Sequence, residues 1–119
     1  MASDRFVNWT TRKPTREEVQ LVIEDYLGEM ASEIRWERDR FFVTLVGKHS
    51  HPLRRIEGAS PILTREPDPG WEGRYMEIWP DPDGNCLDVM TRQQDELTNR
   101  IADGLAQLFA RFWEGKLDE

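Results

Sequence analysis

The sequence predicts an α+β fold: a four-stranded antiparallel sheet of two hairpins, order helix-strand-strand-strand-strand-helix, with both helices on one face. Three observations carry that expectation. Apolar residues recur at helical spacing over residues 15–31 and again over 92–114. Between them, the pattern switches twice to strict alternation, and each alternating pair of runs brackets a short polar turn. Antiparallel hairpins with one apolar face need a layer of helices on that face alone.

Residues 1–14 mix charges with Phe6 and Trp9 and show no sustained period, so they read as an N-terminal arm ahead of a single α+β domain, 15–119. The first helix begins at a capping box: Thr15 stands three residues ahead of Glu18, just after Pro14. Val19, Val22, Ile23, Tyr26, Leu27 and Met30 then follow on one helical face. Glu17 and Glu18 suit the positive end of the helix dipole.

In the first hairpin, Ile34 and Trp36 alternate with Glu33, Arg35 and Glu37, while Phe41, Val43 and Leu45 alternate with Phe42, Thr44 and Val46. With Arg38-Asp39 as the turn, Trp36 faces Phe41 and Ile34 faces Val43, both apolar pairs. Arg-Asp is not a preferred turn dipeptide, which leaves a longer loop open. Residues 47–72 hold Gly47, Pro52, Gly58, Pro61, Pro67, Pro69 and Gly70 and read as a long connection, with Ile62-Leu63 as a short strand within it.

The second hairpin runs from Arg74 to Trp79 and from Cys86 to Thr91 around a turn at Asp83-Gly84. That register sets Ile78 opposite Val89, Met76 opposite Thr91, Trp79 beside Asp88 and Glu77 beside Met90. A second capping box, Thr91 to Gln94, starts the last helix. Its stripe is Leu97, Ile101, Leu105, Leu108 and Phe112, widened by Ala102, Phe109 and Trp113, and it stops at Gly115. Leu105, Leu108 and Phe112 are expected to be buried against the sheet.

Composition sets limits on function. A chain of 119 residues holds one core, and five Trp and five Phe compensate for an apolar fraction of 38%. The one cysteine, Cys86, cannot make an internal disulfide. No apolar run has the length of a membrane span and the N-terminus lacks a signal-peptide layout, so a cytoplasmic protein without a membrane partner is expected. A net charge of −7 makes nucleic acid an unlikely partner, since phosphates repel it.

The chemical motifs are incomplete. His49, His51 and the cations Lys48, Arg54 and Arg55 form a basic stretch that could meet an anion or a metal, but zinc needs more ligands than it offers. An exposed polar loop accounts for the same residues. The segment from Asp81 to Asn85 resembles the start of a calcium loop, yet Cys86 stands where that loop requires Gly and Arg92 where it requires Glu. Glu77 and Asp88 lie diagonally on one sheet face and could act as an acid–base pair, unless Arg35 and Arg74 neutralise them. No phosphate loop, dinucleotide fingerprint or nucleophile elbow is present. No catalytic residue, metal or cofactor is therefore assigned.

The sheet face turned away from the helices carries more aromatic surface than solubility requires. Arg35, Phe42, Tyr75, Glu77, Trp79 and Asp88 on that face, with Trp71 in the preceding loop, are the expected protein-binding residues. The small, acidic helix–sheet–helix outline resembles that of the acidic chaperones of secretion systems, although residues 47–72 do not supply those proteins' additional helix. The reading is a small acidic protein-binding module, as inhibitor, immunity-type protein, adaptor or secretion-type chaperone, whose partner is another protein or a second copy. The alternative is a small enzyme or ligand-binding domain with a cleft between the 47–72 loop and the sheet carboxylates.

Overall fold

Alternation begins earlier than the mixed composition of the first residues suggests. Arg5, Val7 and Trp9 point inward while Asp4, Phe6 and Asn8 point outward, and Ser3–Asn8 forms strand β1. A charged residue at an inward position hides the period from a count of apolar residues. The computed structural model describes residues 3–10, 12–45, 75–82, 84–92 and 96–118. In it β1 is followed by α1 (Arg16–Leu27), a 3-10 turn (Gly28–Met30), β2 (Ala31–Glu37), β3 (Arg40–Leu45), β4 (Tyr75–Pro80), β5 (Cys86–Thr91), α2 (Glu96–Phe112) and β6 (Lys116–Asp118).

The fold is α+β with an antiparallel sheet and, among the described residues, two helices, but the sheet there has six strands rather than four, in the order β2-β3-β4-β5-β1-β6. The chain opens on a strand, not on a helix. β1 inserts between β5 and the short β6, so the N-terminal residues are part of the sheet. Both additions depend on pairing across most of the chain, which local periodicity does not report.

Local chemistry sets the first helix. Thr15 accepts from the Glu18 N–H and Glu18 accepts from the Thr15 N–H, the reciprocal capping box. Arg12 adds a two-pronged ion pair to the Glu18 carboxylate at 2.8 and 2.9 Å. The Arg12 hydrogen bond, with the Thr15 N–H, holds the exposed Glu18 carboxyl down to about 2. The second expected capping box, Thr91 to Gln94, closes on Gln94, which lies outside the described residues. The Thr91 hydroxyl donates to Asn99 Oδ1 at 2.6 Å.

The two hairpin registers match expectation. Trp36 faces Phe41 and Ile34 faces Val43 across the first; Met76 faces Thr91 and Ile78 faces Val89 across the second. Arg38 and Asp39 both have positive φ, 54° and 70°, so two residues do form the first turn, in the left-handed region that its geometry demands. In the second, the ladder ends where Asp81 N–H donates to the Cys86 carbonyl, leaving residues 82–85 to span the gap.

One core joins both helices to one sheet face: Val19, Ile23 and Leu27 of α1 and Ile101, Leu105 and Phe109 of α2 against Phe41, Val43, Met76, Ile78, Leu87 and Val89. Phe112 departs from the expected stripe. It is 55% exposed and stands edge-on to Trp113, while Leu108 is only half-buried. Trp9 closes the core at that end, buried, with its Nε1 donating to the Phe109 carbonyl at 3.3 Å. The ring lies so close to Gly115 that a Cβ there would approach Trp9 Nε1 to 2.7 Å.

Arg5 is the inward charge of β1. It pairs with Asp103 of α2 and donates to Asn99 Oδ1 at 3.0 Å and to the Ser3 carbonyl at 3.1 Å. This buried cluster ties the first strand to the last helix. Hydrogen bonding on every side is what makes a guanidinium tolerable there.

Candidate functional site

Strand pairing sets out the open face as rows running across the strands. Strand alternation puts Glu33, Arg35 and Glu37 of β2, Arg40, Phe42 and Thr44 of β3, and Tyr75, Glu77 and Trp79 of β4 on the side away from the helices. Asp88 and Met90 of β5 and Asp4 and Phe6 of β1 extend it. Of the residues expected to bind a partner, the register brings Arg35, Phe42, Tyr75, Glu77, Trp79 and Asp88 onto this one face. Trp71 lies outside the described residues, as do the histidine-containing basic stretch, Ile62-Leu63 and Arg74.

One row crosses the middle of the face. Arg35 pairs with Phe42, Phe42 with Glu77, Glu77 with Met90, and Met90 with Asp4. Glu77 is only 3% exposed, and among the described residues two arginines donate to it: Arg92 Nε at 2.9 Å and Arg40 Nη1 at 3.3 Å. Of the two expected neutralising cations, Arg74 lies outside the described residues, and Arg35 turns instead to its own strand neighbours Glu33 and Glu37 at 3.3 and 2.9 Å. A buried carboxylate requires such partners.

The neighbouring row runs Trp79, Asp88, Phe6, each beside the next on adjacent strands. Arg40 lies over the indole of Trp79, 3.2 Å from the ring centroid, and more distantly over Phe42 at 5.8 Å. Arg40 Nε and Trp79 Nε1 are shielded from solvent and have no hydrogen-bond partner among the described residues. Phe6 is 40% exposed, a large apolar ring left open on the sheet.

Both hairpin turns lie at this end of the sheet, and between them the face sinks into a hollow of about 420 Å³. Phe6, Arg40, Trp79, Asp81, Cys86 and Asp88 line it, with Arg38 and Asp39 at the first turn. Lys13 fixes the second turn by donating to the carbonyls of Asp81 and Pro82 at 2.9 and 3.2 Å. Asp88 is half-buried here. Loss of water pushes its carboxyl up to about 7, helped by a hydrogen bond to Asp4 and by that residue's charge. The main-chain N–H of Arg5, donating at 3.2 Å, and the Arg5 charge oppose the rise.

Sequence reasoning missed Phe6, Asp4 and Arg40 as members of this surface. Arg40 was legible in principle, because it stands two residues before Phe42 on the same strand and therefore on the same face. Phe6 and Asp4 were not, since only the pairing of β1 with β5 brings them beside Asp88. Compared with protein-family models, with curated proteins and with solved structures, the chain matches none of them.

Proposed function

We propose that this protein is a small binding module that engages another protein, or a second copy of itself, through the open face of its sheet. The observation that carries the reading is the Trp79–Asp88–Phe6 row and the hollow above it. One sheet face already receives both helices, so solubility alone would favour short polar residues on the other. Instead it carries Phe6, Phe42, Tyr75 and Trp79 among charges of both signs. Aromatic and arginine residues gathered in a depression are the composition of interface centres, where apolar area leaves water and the charges fix orientation.

The enzyme alternative draws less support. Glu77, one of its two carboxylates, is clamped by Arg40 and Arg92 and only 3% exposed, so a substrate has little access to it. Site-specific photo-cross-linking tests the binding reading. With p-benzoylphenylalanine in place of Phe6, illumination in the native host should yield a discrete adduct with another protein or with a second copy. The same group at Leu21, which is 63% exposed on α1, should not. Equal yields at the two positions would overturn the reading.

A further inference from the structure

We propose that the hollow between the hairpin turns receives an arginine or lysine side chain from a basic peptide segment of the partner, an inference that rests on the binding reading above. Its lining includes a carboxyl, Asp88, set between two aromatic residues, Trp79 and Phe6, one on each neighbouring strand. Arg40 covers the indole from the β3 side, which leaves the β5 side, where Asp88 stands, to line the space. An organic cation set between aromatic rings above a carboxylate gains both the ring quadrupoles and the charge. A volume of about 420 Å³ lies in the range of pockets that enclose a side chain or small ligand.

Charge decides the sign of the occupant. Two cations also border the hollow, Arg38 and Arg40, but three carboxylates, Asp39, Asp81 and Asp88, line it with them, and Arg40 is further engaged with Glu77, which it shares with Arg92. The Arg5 guanidinium lies on the other face, held by Asp103 and Asn99. Among the described residues, the hydrogen-bond partners of Asp88 are the Arg5 main-chain N–H and the Asp4 carboxyl, neither of them a cationic side chain. The exposed Asp4 carboxylate repels the half-buried one of Asp88, and an arriving cation relieves that repulsion. The chain as a whole, at −7, attracts a basic partner over longer range.

The test uses two blocked tripeptides, acetyl-Gly-Arg-Gly-amide and acetyl-Gly-Glu-Gly-amide, titrated into the intact protein at pH 7.5 and followed by nuclear magnetic resonance. The arginine peptide should shift the Trp79 indole N–H and the Phe6 and Asp88 amides saturably; the glutamate peptide should not. Asp88→Asn keeps an acceptor for the Arg5 N–H and should weaken arginine-peptide binding at least about fivefold, with the remaining spectrum intact. Should Asp88→Asn fail to fold, Phe6→Ala, at an exposed position, should lower the affinity in the same direction. Equal responses to both peptides, or unchanged affinity in a folded Asp88→Asn, would overturn the proposal. Loss of the cationic pocket alone would show as silent peptides with a retained cross-link at Phe6. Loss of both responses would defeat the binding reading as well.

Discussion

The guanidinium of Arg40 stacks on the indole of Trp79 at 3.2 Å while its Nη1 reaches Glu77. One side chain thus joins the two rows of the open face, anchoring the central carboxylate and packing the aromatic wall of the hollow. Arg92 is the second anchor, but its side chain is 51% exposed, against 23% for Arg40.

Removing these anchors should therefore have unequal effects. Arg40→Ala leaves a buried carboxylate short of a partner and strips the indole of its cover, and is expected to cost about 1–3 kcal/mol. Arg92→Ala should cost less, because water replaces an exposed guanidinium more readily. Urea denaturation of the two variants measures the difference. Equal losses would mean that Glu77 is held mainly from the solvent side.

The end of α2 supplies a second contrast. Phe109 is fully buried and Phe112 is 55% exposed, three residues apart on one helix. Phe109→Ala should cost about 3–5 kcal/mol, whereas Phe112→Ala should stay below about 1 kcal/mol. Thermal or chemical unfolding of the pair checks the placement of Trp9 as the residue that closes this part of the core.

Asp88 should make stability depend on pH. The folded carboxyl keeps its proton up to about pH 7, whereas the unfolded one releases it near 4. Between those values the native chain binds more protons, so this group's contribution falls as pH rises from about 4 to about 7 and is level above. Asp4 favours the protonated form and Arg5 opposes it; among the described residues Arg38, Asp39, Arg40 and Asp81 also line the hollow, and Glu77 is held by Arg40. Asp88→Asn should flatten that slope. Glu18, held down to about 2, acts in the opposite sense and at lower pH, so the two effects separate. Stability measured from pH 4 to 8 in both proteins is the check, and parallel curves would contradict it.

Where the sequence spoke of neighbours, it was legible. The Thr15–Glu18 capping box and both hairpin registers depend on residues a few positions apart, and each is present as expected. Alternation then placed six of the seven candidate binding residues on one face. What local pattern could not carry was pairing over distance. β1 meets β5 more than eighty residues later, its inward Arg5 disguises the alternation, and β6 is three residues long. Phe6 and Asp4 reach the site only through that pairing. The expected burial of Phe112 failed for a related reason, since helical spacing cannot show that Trp9 from the other end of the chain fills the space.

The binding reading is most directly tested at Trp79, by measuring stability and association together in Trp79→Ala. The side chain is only half-buried and belongs to the open face, so unfolding free energy should drop by less than about 2 kcal/mol. Association with the partner cross-linked at Phe6, whether another protein or a second copy, should weaken at least about tenfold, the effect of a modest interface anchor. A loss of about 3–5 kcal/mol in stability, as for a core aromatic, with association of the folded fraction unchanged, would make the face part of the protein's own interior and contradict the account.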